Sequence, residues 1–228
     1  MKVIQIVGTS GTGKTTFIRD LIPHLSSYGK IAIIKHLGHH TFPLEEGKDT
    51  TYFFEAGTSY SIGIDPQKAV ILTRDADLRT VLHMLCDAGV TMTIVEGFKS
   101  ILFPRIVFGD LVSSEVVLRN PTATEVIQNL TRFHTINTIP GLVHELVGIK
   151  ETGENDALCT IRLSLEGRTD VDPNALEQQI AAQSGVIGVR VATDEREGHT
   201  HVLVVVRAED GKSAFRALRL VEGIDGHE

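Results

Sequence analysis

Val3-Ile4-Gln5-Ile6-Val7-Gly8-Thr9-Ser10-Gly11-Thr12-Gly13-Lys14-Thr15 decides the fold of this chain. Val3 to Val7 is an apolar run of the kind that forms a buried strand, and Thr16 to Leu25 carries a helical pattern. Between them Gly8 to Thr15 match G-x-x-x-x-G-K-[ST] in full, a phosphate-binding P-loop in its strand–loop–helix setting. The glycines let backbone N–H groups curl around phosphate oxygens, with Gly8, Ser10, Gly11, Thr12 and Gly13 forming the cradle. Lys14 reaches the terminal phosphates, Thr15 offers its hydroxyl to Mg²⁺, and Thr16 opens the helix whose dipole favours the anion.

Working outward, Lys30 to His36 reads as a second strand, and its near-continuous apolar character predicts a strand covered on both faces. Gly38 to Gly47 reads as a loop, Thr50 to Gly57 as a short helix, and Ser59 to Ile64 and Ala69 to Thr73 as strands. A helix is expected from Asp75 to Asp87, stopped by Gly89; strands follow at Thr91–Val95, Ile106–Phe108 and Val116–Leu118. Helices at Pro121–Leu130 and Ile139–Val147 flank a short strand at Phe133–Ile136. This alternation predicts an α/β fold, a doubly wound and mostly parallel P-loop NTPase sheet with its ligand at the strand carboxyl ends.

Polar residues 150–156 suggest a linker, so the expected organisation is a nucleotide-binding domain over 1–150, a linker over 151–157, and a small α+β domain over 158–228. Strand patterns at Leu158–Leu165, Val186–Ala192 and His201–Arg207 and helical patterns at Pro173–Gln183 and Ser213–Val221 give the order βαββα. That order predicts a ferredoxin-like antiparallel sheet backed by helices on one face. Asp194 to His201 reads as a hairpin loop with Gly198 at the turn; His199 and His201, at alternate positions, offer a metal-binding alternative.

Composition narrows the function. The 228 residues are 42% hydrophobic and 22% charged, as in ordinary globular proteins, with a net charge of −7. Residues 155–228 hold 8 Lys/Arg and 13 Asp/Glu, a net of −5 that leaves −2 for the remainder, so neither part is a nucleic-acid binder working by phosphate neutralisation. Cys86 and Cys159 lie far apart with no C-x-x-C or zinc spacing, and no apolar run approaches the roughly 20 residues of a membrane span. Because the sequence opens on the P-loop strand, no signal peptide is expected. Cytoplasmic residence without a membrane or nucleic-acid partner is the expectation.

A P-loop protein needs an acid at the end of a second buried strand to hold Mg²⁺. Glu96 ends the run Thr93-Ile94-Val95 and precedes Gly97-Phe98-Lys99; Asp49, in Gly47-Lys48-Asp49-Thr50, is the other candidate, or simply a favourable acid at a helix N-terminus. Lys35, His36, His39 and His40 cluster after the second strand as an anion-facing edge, a metal site or solvated loop residues. Lys99 and Arg105 meet phosphate or solvent.

The P-loop, Lys35-His36 with His39-His40, Gly47-Lys48-Asp49-Thr50, Ala56-Gly57 and Val95-Glu96-Gly97-Phe98-Lys99, in that order, resemble the molybdopterin-guanine dinucleotide biosynthesis protein B family (MobB) over residues 1–150. The family's Lys-His-Thr-x-His reads here as Lys-His-Leu-Gly-His-His, which leaves His39 and His40 both open for the second histidine. The resemblance implies GTP binding with Mg²⁺, weak GTP hydrolysis, a homodimer, and support of a guanylyltransferase partner (MobA-type) that transfers GMP to molybdopterin. It carries Gly13, Lys14, Thr15 and Thr16 over as phosphate and Mg²⁺ residues. Asp49 and Glu96 become the catalytic and metal-site acids at the nucleotide end of the sheet. No N-K-x-D motif is present, so the guanine preference rests on the resemblance alone. Competing readings are a nucleotide-dependent carrier that delivers cofactor to a partner and a P-loop small-molecule kinase. Residues 155–228 fall outside the resemblance and are expected to serve dimerisation or partner docking.

Overall fold

Two hydrophobic faces on one parallel sheet organise the first part of the chain. The computed structural model describes residues 1–38, 40–75, 77–147, 156–165, 171–196 and 199–222. Strands β1 (Lys2–Gly8), β2 (Lys30–Lys35), β5 (Val90–Glu96), β6 (Arg105–Phe108) and β7 (Val116–Arg119) run parallel in the order β2-β5-β1-β6-β7. The short β8 (His134–Thr135) pairs antiparallel with the start of β1. Alternation along β1 sends Ile4 and Ile6 into one core with Leu21 and Leu25 of helix α1 (Lys14–Leu25) and Val126 of helix α4 (Ala123–Gln128). Val3 joins Leu78, Leu82 and Cys86 of helix α3 (Leu78–Asp87) on the opposite face. Each fully buried Leu contributes about 1.5–3 kcal/mol by leaving water. The expected doubly wound α/β architecture is present.

Helix α2 (Asp49–Glu55) packs on an antiparallel hairpin of β3 (Tyr60–Ile64) and β4 (Ala69–Thr73) that stands apart from the main sheet. This insertion explains one departure from expectation. β2 is an edge strand, not a doubly covered one, and its Ile33 is 46% exposed because the chain after β2 builds the hairpin instead of a helix over it. The helix expected from Asp75 starts at Leu78. Asp77 is the N-cap, its carboxylate accepting the N–H groups of Arg79 and Thr80, whereas Asp75 accepts the Tyr60 hydroxyl proton at 2.6 Å. α4 is likewise shorter than Pro121–Leu130, because the Thr122/Glu125 capping box sets its start.

Helix α5 (Ile139–Val147) follows, and residues 148–155, which include 151–155 of the expected linker, fall outside the described residues. Asp156 pairs with the buried Arg207 at 2.6 Å and leads into β9 (Ala157–Leu165). Helix α6 (Pro173–Ala181), β10 (Val186–Arg196), β11 (His199–Ala208) and helix α7 (Gly211–Glu222) complete the βαββα unit, a three-stranded antiparallel sheet in the order β10-β11-β9. β10 and β11 run on into the stretch expected to be loop, and the turn placed at Gly198 lies outside the described residues. Leu176, Ile180, Ala214, Ala217 and Val221 cover one face with Val202, Val204 and Val206. The other face is not bare: Leu142 and Leu146 of α5 pack on Ala192, Leu203 and Val205. The last helix of the first unit is therefore also a cover for the second sheet.

Candidate functional site

Gly8 closes β1 where only a glycine fits: a Cβ there would stand 2.6 Å from the Phe108 carbonyl oxygen at the end of β6. The loop then turns through Gly11 and Gly13, both at positive φ (76° and 84°) with open space where a side chain would be. Gly13 sits at the N-cap of α1 with no side-chain cap, and the first turn holds no acid. Among the described residues no side chain accepts from the leading N–H groups of α1, so the positive end of the helix dipole faces the sheet's carboxyl edge without a described counter-charge. Lys14 folds over the loop, Nζ donating to the Thr9 carbonyl at 2.5 Å with Thr12 Oγ1 at 3.5 Å, while Thr15 and Thr16 are exposed beside it.

Glu96 ends β5, the strand next to β1, in register with Ile6 on one side and Lys35 on the other. Its side chain is only 13% exposed and meets the Lys35 ammonium at 3.5 Å. Beyond it the chain bends through Gly97 (φ 95°) and Phe98 (φ 51°). The Gly97 N–H donates to the Ile6 carbonyl at 3.0 Å, and the His36 N–H donates to the Glu96 carbonyl at 2.9 Å. A Cβ on Gly97 would lie 2.9 Å from the His36 Cβ, and the His36 and Phe98 rings meet at a 30° tilt with centroids 4.4 Å apart. Lys35, His36, Glu96 and Gly97 therefore form one constellation at the carboxyl ends of β2 and β5, beside the P-loop strand.

The remaining sequence candidates are placed more loosely. Asp49 is exposed in the first turn of α2, next to Lys48, which pairs with Glu45 at 3.4 Å. Among the described residues no hydrogen bond or ion pair joins Asp49 to the P-loop. His40 is exposed in the loop after β2, Lys99 is exposed beyond Phe98, and His39 lies outside the described residues. Arg105 meets neither phosphate nor solvent. It is 1% exposed, and its guanidinium donates to the carbonyls of Lys99, Ile101 and Phe103, with Ser113 Oγ at 3.3 Å. Burial lowers its pKa and the Glu115 carboxylate opposes that shift, so the group stays charged and ties down the loop after Glu96.

Three further residues shape the site without having been singled out in the sequence. Gln5 is fully buried in β1; its amide donates to the Gly97 and Phe98 carbonyls, each at 2.9 Å, and accepts the Phe103 N–H at 3.3 Å. The signal was available, a single polar residue inside an apolar run. Asn120 (φ 45°) accepts the Gly109 N–H at 2.9 Å, and Arg119 donates to the Gly109 carbonyl at 2.6 Å, holding the loop after β6 against the P-loop. At Gly109 a Cβ would come within 3.0 Å of Thr12 Cγ2.

The residues suit a nucleotide phosphate and a magnesium ion. The uncapped helix start and glycine cradle match an anion, while one hydroxyl and one carboxylate match an ion that takes its other ligands from phosphate and water. Among the described residues no three His, Cys, Asp or Glu side chains converge, which sets this apart from an all-protein metal cage. Fold and site together define an α/β protein with a P-loop at the carboxyl edge of its parallel sheet. More particularly, the chain belongs to the MobB family: the signature of "Molybdopterin guanine dinucleotide synthesis protein B" matches residues 3–129.

Similar proteins include a putative molybdopterin-guanine dinucleotide biosynthesis adapter protein of Methanocaldococcus jannaschii, 35% identical over 111 residues, which are 47% of this chain and 47% of that protein. The corresponding adapter protein of Haemophilus influenzae is 33% identical over 108 residues, 46% of this chain and 61% of its own length. The match thus spans between about half and under two thirds of these curated relatives. The crystal structure of Bacillus subtilis MobB aligns with a TM-score of 0.46 at 21% identity, over 60% of this chain and 100% of that one. Among the described residues no helix is long and apolar enough to cross a membrane.

Proposed function

We propose that this chain binds GTP with Mg²⁺ at the P-loop edge and assists the attachment of GMP to molybdopterin, hydrolysing GTP weakly, beside a MobA-type guanylyltransferase. One observation carries this reading. The uncapped start of α1 and the Gly8–Thr15 cradle lie on the strand adjacent to Glu96, within a chain of the MobB family. Bound magnesium supplies neutralisation of phosphate charge. The N–H groups of Gly13 to Thr16 receive phosphate oxygens, and Lys14 exchanges the Thr9 carbonyl for a phosphate. Thr15 and Glu96 hold the ion, and Asp49 joins them from the α2 turn. Lys35, pairing with Glu96 at 3.5 Å, holds that carboxylate along the edge.

The assembly proposed is a homodimer in the cytoplasm. Exposed Ile62, Ile64, Val70 and Ile71 on the β3–β4 hairpin support self-association, since a second copy would remove them from water. The relatives named adapter proteins favour a second reading, in which bound nucleotide governs delivery of cofactor to the partner and hydrolysis is incidental. GTP turnover measured with and without the guanylyltransferase and molybdopterin separates the two. A substantial rise on adding both supports assisted catalysis; unchanged turnover with nucleotide-dependent cofactor handover supports delivery.

A further inference from the structure

The two edges of the C-terminal sheet are treated differently. At the β10 edge Glu177 of α6 accepts the backbone N–H of Val191 at 2.9 Å and pairs with Arg190 at 3.1 Å, so a side chain occupies a ladder position and blunts the strand. β9 forms the opposite edge, nine residues long, and no described strand pairs with its outer side. It holds no proline, and Arg162 is its one charged residue, in a chain whose net charge is −7. Such an edge is a template for another strand.

Apolar side chains flank it above and below. On one face Leu158 is 43% exposed. On the other, α7 packs over β9 and β11, and Ser213 marks its inner flank, because a Cβ on Gly185 before β10 would meet the Ser213 hydroxyl at 2.5 Å. Two residues further on, Phe215 of the same helix is 58% exposed, with Arg219 over its ring at 5.4 Å.

We propose that β9 is an isologous interface, pairing antiparallel with β9 of a second copy of this chain to give one continuous six-stranded sheet. Pairing over all of Ala157–Leu165 places the two-fold axis at Ile161. Cys159 then opposes the second copy's Leu163 and Ala157 its Leu165, so the row facing the helices meets itself as apolar against apolar. On the other face Leu158 opposes Ser164, and Arg162 opposes Thr160, which keeps the two arginines out of direct opposition. The strand is nearly neutral within an acidic chain, so this is where like-charged copies meet with least repulsion. The contact is separate from the β3–β4 hairpin and from the nucleotide site.

The register is testable by charge at Thr160, an exposed position. Thr160→Lys sets a lysine against Arg162 twice across the axis and should weaken the contact about tenfold or more. Light-scattering mass should then fall by half, from dimer to monomer or from tetramer to dimer if the hairpin also associates. Thr160→Glu faces the same arginine and should keep or tighten the assembly, and Thr160→Lys with Arg162→Glu should restore it. Circular dichroism and GTP affinity of each variant, both expected unchanged, separate this result from misfolding and from failure of the nucleotide reading. A monomeric wild type, or a mass insensitive to Thr160→Lys, overturns the proposal and assigns the edge to another segment or another protein.

Discussion

Replacing Gln5 by Leu should loosen the nucleotide edge without touching the P-loop. The side chain is fully buried and makes three hydrogen bonds, two to the Gly97 and Phe98 carbonyls and one from the Phe103 N–H. Leu nearly conserves volume, so the cavity cost is small, but it leaves polar backbone groups buried without their partner. Each such loss costs about 1–3 kcal/mol, and relaxation toward solvent at the loop surface offsets part of it, so the net is about 3 kcal/mol. For a chain of this size that lowers Tm by about 6–12 °C. Because Gly97 follows Glu96 directly, GTP affinity in the presence of Mg²⁺ should fall more than affinity in its absence. Scanning calorimetry and fluorescent-GTP titration of wild type and Gln5→Leu check both parts. A Tm within about 1 °C of wild type would refute the claim that this amide anchors the metal-side loop.

Other expectations follow from the same geometry. Gly8→Ala drives a Cβ against the Phe108 carbonyl oxygen at 2.6 Å and should abolish nucleotide binding as it spreads β1 from β6. Gly97→Ala combines positive φ with a 2.9 Å approach to His36 and should reduce Mg²⁺-dependent binding, again by titration. Asp77 and Glu125 hold pKa values below their ordinary range through the hydrogen bonds they accept at helix starts. Their contribution to stability is present above the unfolded carboxylate pKa and is lost as pH falls through the lower folded values. Asp77→Asn, which preserves the cap, should therefore flatten the acid limb of a Tm-versus-pH curve. Leu203→Ala, under α5, should cost about 2–5 kcal/mol and lower the melting of both sheets together, because Leu142 and Leu146 share that core.

The parts of the fold set by local pattern were legible in the sequence. The P-loop, the strand before it and the helix after it depend on neighbours a few residues away, and so does the βαββα order of the C-terminal unit. Strand order is a tertiary matter. The residues of β2 read as doubly covered because Ile31, Ile33 and Ile34 are apolar, and nothing local says that the chain leaves to build a hairpin. Arg105 read as a cation that meets either phosphate or solvent, since a cation near Glu96 fits both. Only the folded loop shows its guanidinium spent on three backbone carbonyls. Gln5 hid in plain view as the polar exception in β1. Helix α5 read as part of the first unit alone, yet its Leu142 and Leu146 belong to the core of the second. Deleting residues 156–222 would therefore expose an apolar face of α5.

Equilibrium titration with GTP and ATP, with and without Mg²⁺, on wild type and Lys14→Ala, tests the central claim most directly. Tighter binding of GTP than ATP, strengthened by Mg²⁺ and lost in Lys14→Ala, is the predicted result. Equal affinity for the two nucleotides would contradict the guanine assignment, and wild-type affinity in Lys14→Ala would contradict the site itself.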